Sequence, residues 1–179
     1  RRSWFQRRPA PDMARIVVAV DPAITSREDS NETGILVSGK GIDGFGYVLA
    51  DRSCRASPDL WARRAVTAYY EFGAGYIAAE SNQGGEMVSL TIKTVDPTVP
   101  VRLVHASKGK RVRAEPVAAL YEQGKIFHVG TFDDLEDQLC TWEPLGTERS
   151  PDRLDAAVWA INELMLQAPT RAIQSAMLA

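Results

Sequence analysis

Four acidic residues of this chain stand where a charge is costly to place. Asp21 closes the apolar run Ile16-Val17-Val18-Ala19-Val20 and is followed by Pro22, which stops further strand pairing. Glu80 closes Tyr76-Ile77-Ala78-Ala79 and opens onto the polar, glycine-rich Ser81-Asn82-Gln83-Gly84-Gly85. Asp152 and Asp155 lie three apart in Ser150-Pro151-Asp152-Arg153-Leu154-Asp155-Ala156, a spacing that puts both on one helix face. Beside them runs a core stripe of Leu154, Val158, Ile161 and Met165. The helix macrodipole accounts for an acid in the first turn, which covers Asp152. It does not cover Asp155, set among small apolar residues.

Carboxylates aimed from neighbouring strand ends into one cleft repel each other and lose hydration unless a cation lies between them. Oxygen-only donors suit hard ions such as Mg²⁺ or Mn²⁺. Three or four of them, drawn from two strand ends and a helix, suit a two-ion site for phosphodiester hydrolysis.

The elements that must position these residues form a mixed α/β pattern. Apolar and β-branched runs predict strands at Ile16–Val20, Gly34–Ser38, Phe45–Ala50, Tyr76–Ala79, Val101–Val104 and Ile126–Val129. The glycine-rich segment 39–44 makes the second and third a hairpin. Helices are expected from Pro58 to about Phe72, over Glu86–Val95, over Pro116–Gln123 with Gly124 as its cap, over Phe132–Trp142, and from Ser150-Pro151 to about Leu166. Strands first, then strands alternating with helices, predict a sheet of about five or more strands flanked by helices. Asp21 and Glu80 then sit at carboxyl ends of strands, where open α/β sheets carry their ligands.

At 179 residues the chain is sized for one domain. We read residues 1–14, with four arginines and two prolines, as a linker or N-terminal extension, 15–168 as the domain and 169–179 as a tail. An opening on Arg1 suggests a piece of a longer protein. With 45% hydrophobic and 25% charged residues the profile is that of a folded globular chain, and the net charge of −2 excludes a uniformly basic coat. No apolar run reaches the roughly 18 residues needed to cross a bilayer. Cys54 and Cys140 are far apart and in no CxxC pair, which suggests neither a disulfide framework nor a thiolate zinc site and points to reducing cytosol.

Taken in order, Val18-Ala19-Val20-Asp21-Pro22-Ala23, Thr33-Gly34-Ile35, Glu80-Ser81-Asn82-Gln83-Gly84-Gly85, Lys110-Arg111-Val112-Arg113-Ala114-Glu115-Pro116 and Ser150-Pro151-Asp152-Arg153-Leu154-Asp155-Ala156 resemble the nuclease domain of the large terminase subunit of tailed bacteriophages. The likeness covers roughly residues 15–166. It implies an RNase H-like fold and a metal-dependent endonuclease that cuts concatemeric double-stranded DNA during packaging. It further implies that Asp21, Glu80 and an aspartate of the last helix hold two Mg²⁺ or Mn²⁺ ions. Asp155 is the preferred carried-over acid, with Asp152 as a second ligand or water-positioning group. Relatives often place a further acid before Thr-Gly, for which Asp29 and Glu32 are the candidates. The implied partners are duplex DNA, the terminase ATPase domain, the small terminase subunit and the portal protein, and the implied location is the host bacterial cytoplasm at the procapsid portal. No GxxxxGK[ST] phosphate loop occurs, so this chain is expected to cut DNA without translocating it. Another RNase H-like nuclease such as a Holliday-junction resolvase, or a non-catalytic module docking DNA or the portal, are the alternatives.

Lys108, Lys110, Arg111 and Arg113 put four cations in six residues, either a solvated loop or a clamp on the phosphate backbone. Gly39-x-Gly41-x-x-Gly44 matches a dinucleotide fingerprint only formally, since a strand is expected to follow it. His105, His128, Trp61 and Trp142 are expected to be structural.

Overall fold

A computed structural model of the chain describes residues 1–22, 32–81, 85–105, 109–143 and 151–167. Asp29, Gly84, Lys108, Ser150 and the tail lie outside the described residues. Seven strands form one sheet: β1 (Gln6–Arg7), β2 (Met13–Asp21), β3 (Gly34–Gly41), β4 (Gly46–Asp51), β5 (Tyr76–Glu80), β6 (Val101–Val104) and β7 (Ile126–His128), in the spatial order β1-β7-β4-β3-β2-β5-β6. Five helices flank it: α1 (Pro58–Glu71), α2 (Gly85–Val95), α3 (Lys110–Glu122), α4 (Asp133–Thr141) and α5 (Asp152–Ile161), the last running on into a π-helical turn, Asn162–Leu166.

The central strand β2 explains the layering. Its apolar residues are unbroken because both faces are covered. Val18 and Val20 join the core under α1 and α2 with Ile35, Val37 and Ile77. Val17 and Ala19 face the other way, against Trp159 and Ala160 of α5. On that second face Leu36 and Val48 meet α3, α4 and α5 through Val117, Tyr121, Leu135 and Val158.

Strand direction positions the acids. β2 pairs parallel with β5 and β5 with β6, while β3 is antiparallel to both β2 and β4, and β4 is parallel to β7. The carboxyl ends of β2, β4, β5, β6 and β7 therefore emerge on one rim. Val20 pairs with Ala79, so Asp21 and Glu80 are the next residues on adjacent strands.

Two expectations shift. Residues 1–14 are not a simple extended connection: Arg2–Trp4 makes a 3-10 turn, β1 adds to the sheet edge beside β7, and β2 already begins at Met13. Phe5, buried against His128 and Tyr121, holds this segment down. Second, α3 begins six residues before Pro116, which it carries in its interior at the loss of one backbone hydrogen bond. Val117 and Tyr121 on its buried face outweigh that break, so the cations at 110–113 form a helical first turn. As expected, the segment 39–44 closes the β3–β4 hairpin, with Gly44 at φ 84°, and opens no helix.

Candidate active site at the sheet rim

The rim gathers the acids from three elements, β2, β5 and α5. Asp21 ends β2 opposite Gly34, the first residue of β3. A side chain at Gly34 would bring its Cβ to 2.1 Å from the Asp152 carbonyl oxygen. The first turn of α5 therefore sits directly on the β3 start, which delivers Asp152 and Asp155 beside Asp21. Asp155 is 3% exposed. Glu80 arrives from β5 on the far side.

The electrostatics follow from this placement. Burial, followed by the negative charges of Asp155, Asp152 and Glu80, pushes the Asp21 carboxyl up to about 8, against a pull downward from Lys110. Lys110, in the first turn of α3, donates from Nζ to Asp155 Oδ2 at 2.5 Å. Arg113, one turn on, is 10% exposed and sets Nη1 3.6 Å from Glu80 Oε1. Its guanidinium lies over the Trp159 ring at 4.4 Å, and the Trp159 indole donates to Glu80 Oε2 at 3.1 Å. Among the described residues, Lys110 and Arg113 thus bring positive charge to this acid cluster.

As they lie, no three carboxylate, imidazole or thiol groups among the described residues stand close enough to share one ion. The donor set nevertheless fits a hard cation. It is all oxygen, it is partly buried, and the mutual repulsion of its carboxylates is what an ion would relieve.

Of the four cations expected on the DNA side, the three that are described do not act alike. Lys110 and Arg113 turn inward to carboxylates, whereas Arg111 points out and pairs with Glu115 one turn away at 2.7 Å. Glu32 is claimed by Arg153, whose Nη2 and Nε donate to its two oxygens at 2.6 and 2.8 Å while Nη1 reaches Asp51 at 2.7 Å. Those partners, Glu32 first, raise the Arg153 pKa despite its burial. The acid before Thr33 therefore anchors the start of α5 from outside the cluster. His105 meets Ser81 at 3.2 Å on the rim, whereas His128 is fully buried between Tyr121 and Glu136. Sequence reasoning missed Trp159 as a hydrogen-bond donor to Glu80. Its position four residues beyond Asp155, on that same helix face, was the available signal.

Residues 18–164 match the model of the terminase RNase H-like domain family. No curated protein matches the chain. Among solved structures, the large terminase nuclease of thermophilic phage G20c is 11% identical, with a TM-score of 0.64, covering 91% of this chain and 96% of that one. The same nuclease with bound magnesium gives 12% identity, a TM-score of 0.63 and coverage of 91% and 95%. The large terminase of bacteriophage HK97 is 12% identical with a TM-score of 0.65, covering 91% of this chain but 43% of that longer one. This chain thus spans less than half of the HK97 protein. With a family match over most of its length and a shared RNase H-like fold, the chain belongs to the terminase RNase H-like domain family.

Proposed function

We propose that this domain is a divalent-ion-dependent endonuclease that cuts concatemeric double-stranded DNA for a phage packaging motor. The carrying observation is the convergence of Asp21 and Glu80 at adjacent strand ends with the first turn of α5, where burial and then Asp155, Asp152 and Glu80 force the Asp21 carboxyl up. Asp21, Glu80, Asp155 and Asp152 would hold two ions, Mg²⁺ or Mn²⁺. When bound, such ions supply Lewis acidity that activates water and neutralises charge at the phosphate.

The chain's own residues do the rest. Gly34 sets the depth of the α5 first turn, and Arg153 fixes its outer side through Glu32 and Asp51. Lys110 holds the Asp155 carboxylate in place. Arg111, with Lys108, would contact the phosphate backbone, and Lys110 and Arg113 would add positive potential at the mouth without reading sequence. Partners of the whole protein would be an ATPase domain, a small terminase subunit and the portal, in the host bacterial cytoplasm at the procapsid.

Incubating the chain with supercoiled plasmid and linear duplex tests this reading. Cleavage that requires Mg²⁺ or Mn²⁺, stops with EDTA and disappears in Asp21→Asn is the expected outcome. DNA binding without cleavage under every divalent ion would overturn it.

A further inference from the structure

Trp159 is the one indole whose N–H points at a candidate ion ligand. It lies on α5, one turn beyond Asp155, with its ring in the core beside Val17 and Ala19 and 5% of its surface exposed. Nε1 donates to Glu80 Oε2 at 3.1 Å. The ring face is covered by the Arg113 guanidinium at 4.4 Å. Arg113 is itself unusual: Nε and Nη1 are buried with no hydrogen-bond partner among the described residues. A charged group desolvated without hydrogen bonds is costly. What holds it there is the π face of Trp159 and the Glu80 charge, with Nη1 3.6 Å from Oε1.

We infer that Trp159 and Arg113 are positioning residues for Glu80. The indole N–H fixes the carboxylate through Oε2, the guanidinium stands beside Oε1, and by covering the ring face it clamps the indole in the plane that makes this possible. Neither touches substrate. Each acts through Glu80, as outer partners of ion-ligating groups do. The inference rests on the proposed ion site.

The test is Mn²⁺ titration by calorimetry on the wild-type chain, Trp159→Phe, Arg113→Met and Arg113→Lys, with Tm measured alongside and ¹⁵N spectra recording the Trp159 indole resonance as Mg²⁺ is added. Trp159→Phe keeps the ring and removes only the donor. Loss of an outer-shell partner of this kind weakens ion binding about 10- to 100-fold, and that loss with little change in Tm is the expected result. Removing positive charge beside an ion ligand should by itself tighten cation binding. Weaker binding in Arg113→Met, partly restored in Arg113→Lys, is therefore expected only from lost orientation. In the wild type the indole resonance should move with Mg²⁺. Unchanged Mn²⁺ affinity in Trp159→Phe overturns the inference, and tighter binding in Arg113→Met removes Arg113 from it. Should Trp159→Phe fail to fold, the Arg113 pair and the indole shift decide. A wild type that binds no ion instead removes the ion site itself, with this inference.

Discussion

Two clusters of buried charge are built on the same face of the sheet, and they are built differently. At the β7 edge, Arg7 donates from Nη2 to both oxygens of Glu136 at 2.7 and 2.8 Å, His128 Nδ1 meets Oε1 at 2.9 Å, and the Tyr121 hydroxyl meets His128 Nε2 at 3.0 Å. Burial lowers the His128 pKa, so the imidazole is neutral and a single carboxylate faces a single guanidinium. Burial alone would raise the Glu136 pKa, but the Arg7 and His128 hydrogen bonds outweigh it and hold the group below its ordinary value. At the rim, Lys110 pairs with Asp155 and Arg113 stands near Glu80, while burial and the neighbouring acids drive Asp21 toward protonation. The edge cluster, hydrogen-bonded throughout, holds β1 in place. The rim cluster keeps carboxylates that repel one another, the pattern of a functional-site candidate.

The largest expected effect that separates the two comes from Asp21→Asn. It should abolish divalent-dependent cleavage yet raise the Tm of the ion-free protein at pH 8, because it removes a repelled charge. Cleavage assays and calorimetry read both. A lower Tm would mean that the rim is a structural cluster like the edge.

Next, Glu136→Ala should cost about 1–3 kcal/mol, since it leaves the buried His128 imidazole without its partner and the half-exposed Arg7 unpaired. Denaturant unfolding measures this loss, and cleavage per folded molecule should stay unchanged.

The pH dependence should then run in opposite directions. In the ion-free fold Asp21 keeps a proton up to about 8 that the unfolded chain releases near 3.8, so folding binds the extra proton and this contribution is lost as pH rises through that window. His128 stays neutral in the fold while the unfolded chain takes up a proton below about 6.5, so its contribution is lost as pH falls. Thermal melts across pH in EDTA should show a decline on the alkaline side that Asp21→Asn removes and an acid decline that it leaves.

The smallest effect belongs to Arg111→Ala. It should reduce the slope of log affinity for duplex DNA against log salt by about one unit, as expected for one phosphate contact. Ion binding at the rim should be unaffected.

Much of this arrangement is legible from local pattern. Asp21 and Glu80 are marked by the ends of apolar runs, and α1, α2, α4 and α5 fall where their helical signals put them, within a residue or so. Local pattern fails where remote groups decide. Glu32 is explained only by Arg153, 121 residues away. Strand β1 depends on Phe5 and Arg7 reaching the α3–α4 side of the sheet. The early start of α3 runs against a proline signal because its buried face outweighs one lost hydrogen bond. Nothing in Lys110-Arg111-Val112-Arg113 tells which cations turn inward, since that depends on acids supplied by β2, β5 and α5.

Anomalous diffraction from crystals soaked in Mn²⁺ tests the central claim most directly. Density contacted jointly by Asp21, Glu80 and Asp155, with Lys110 displaced from the shared pocket, is the result expected. Mn²⁺ bound elsewhere, with these side chains unmoved at saturating concentration, would contradict it.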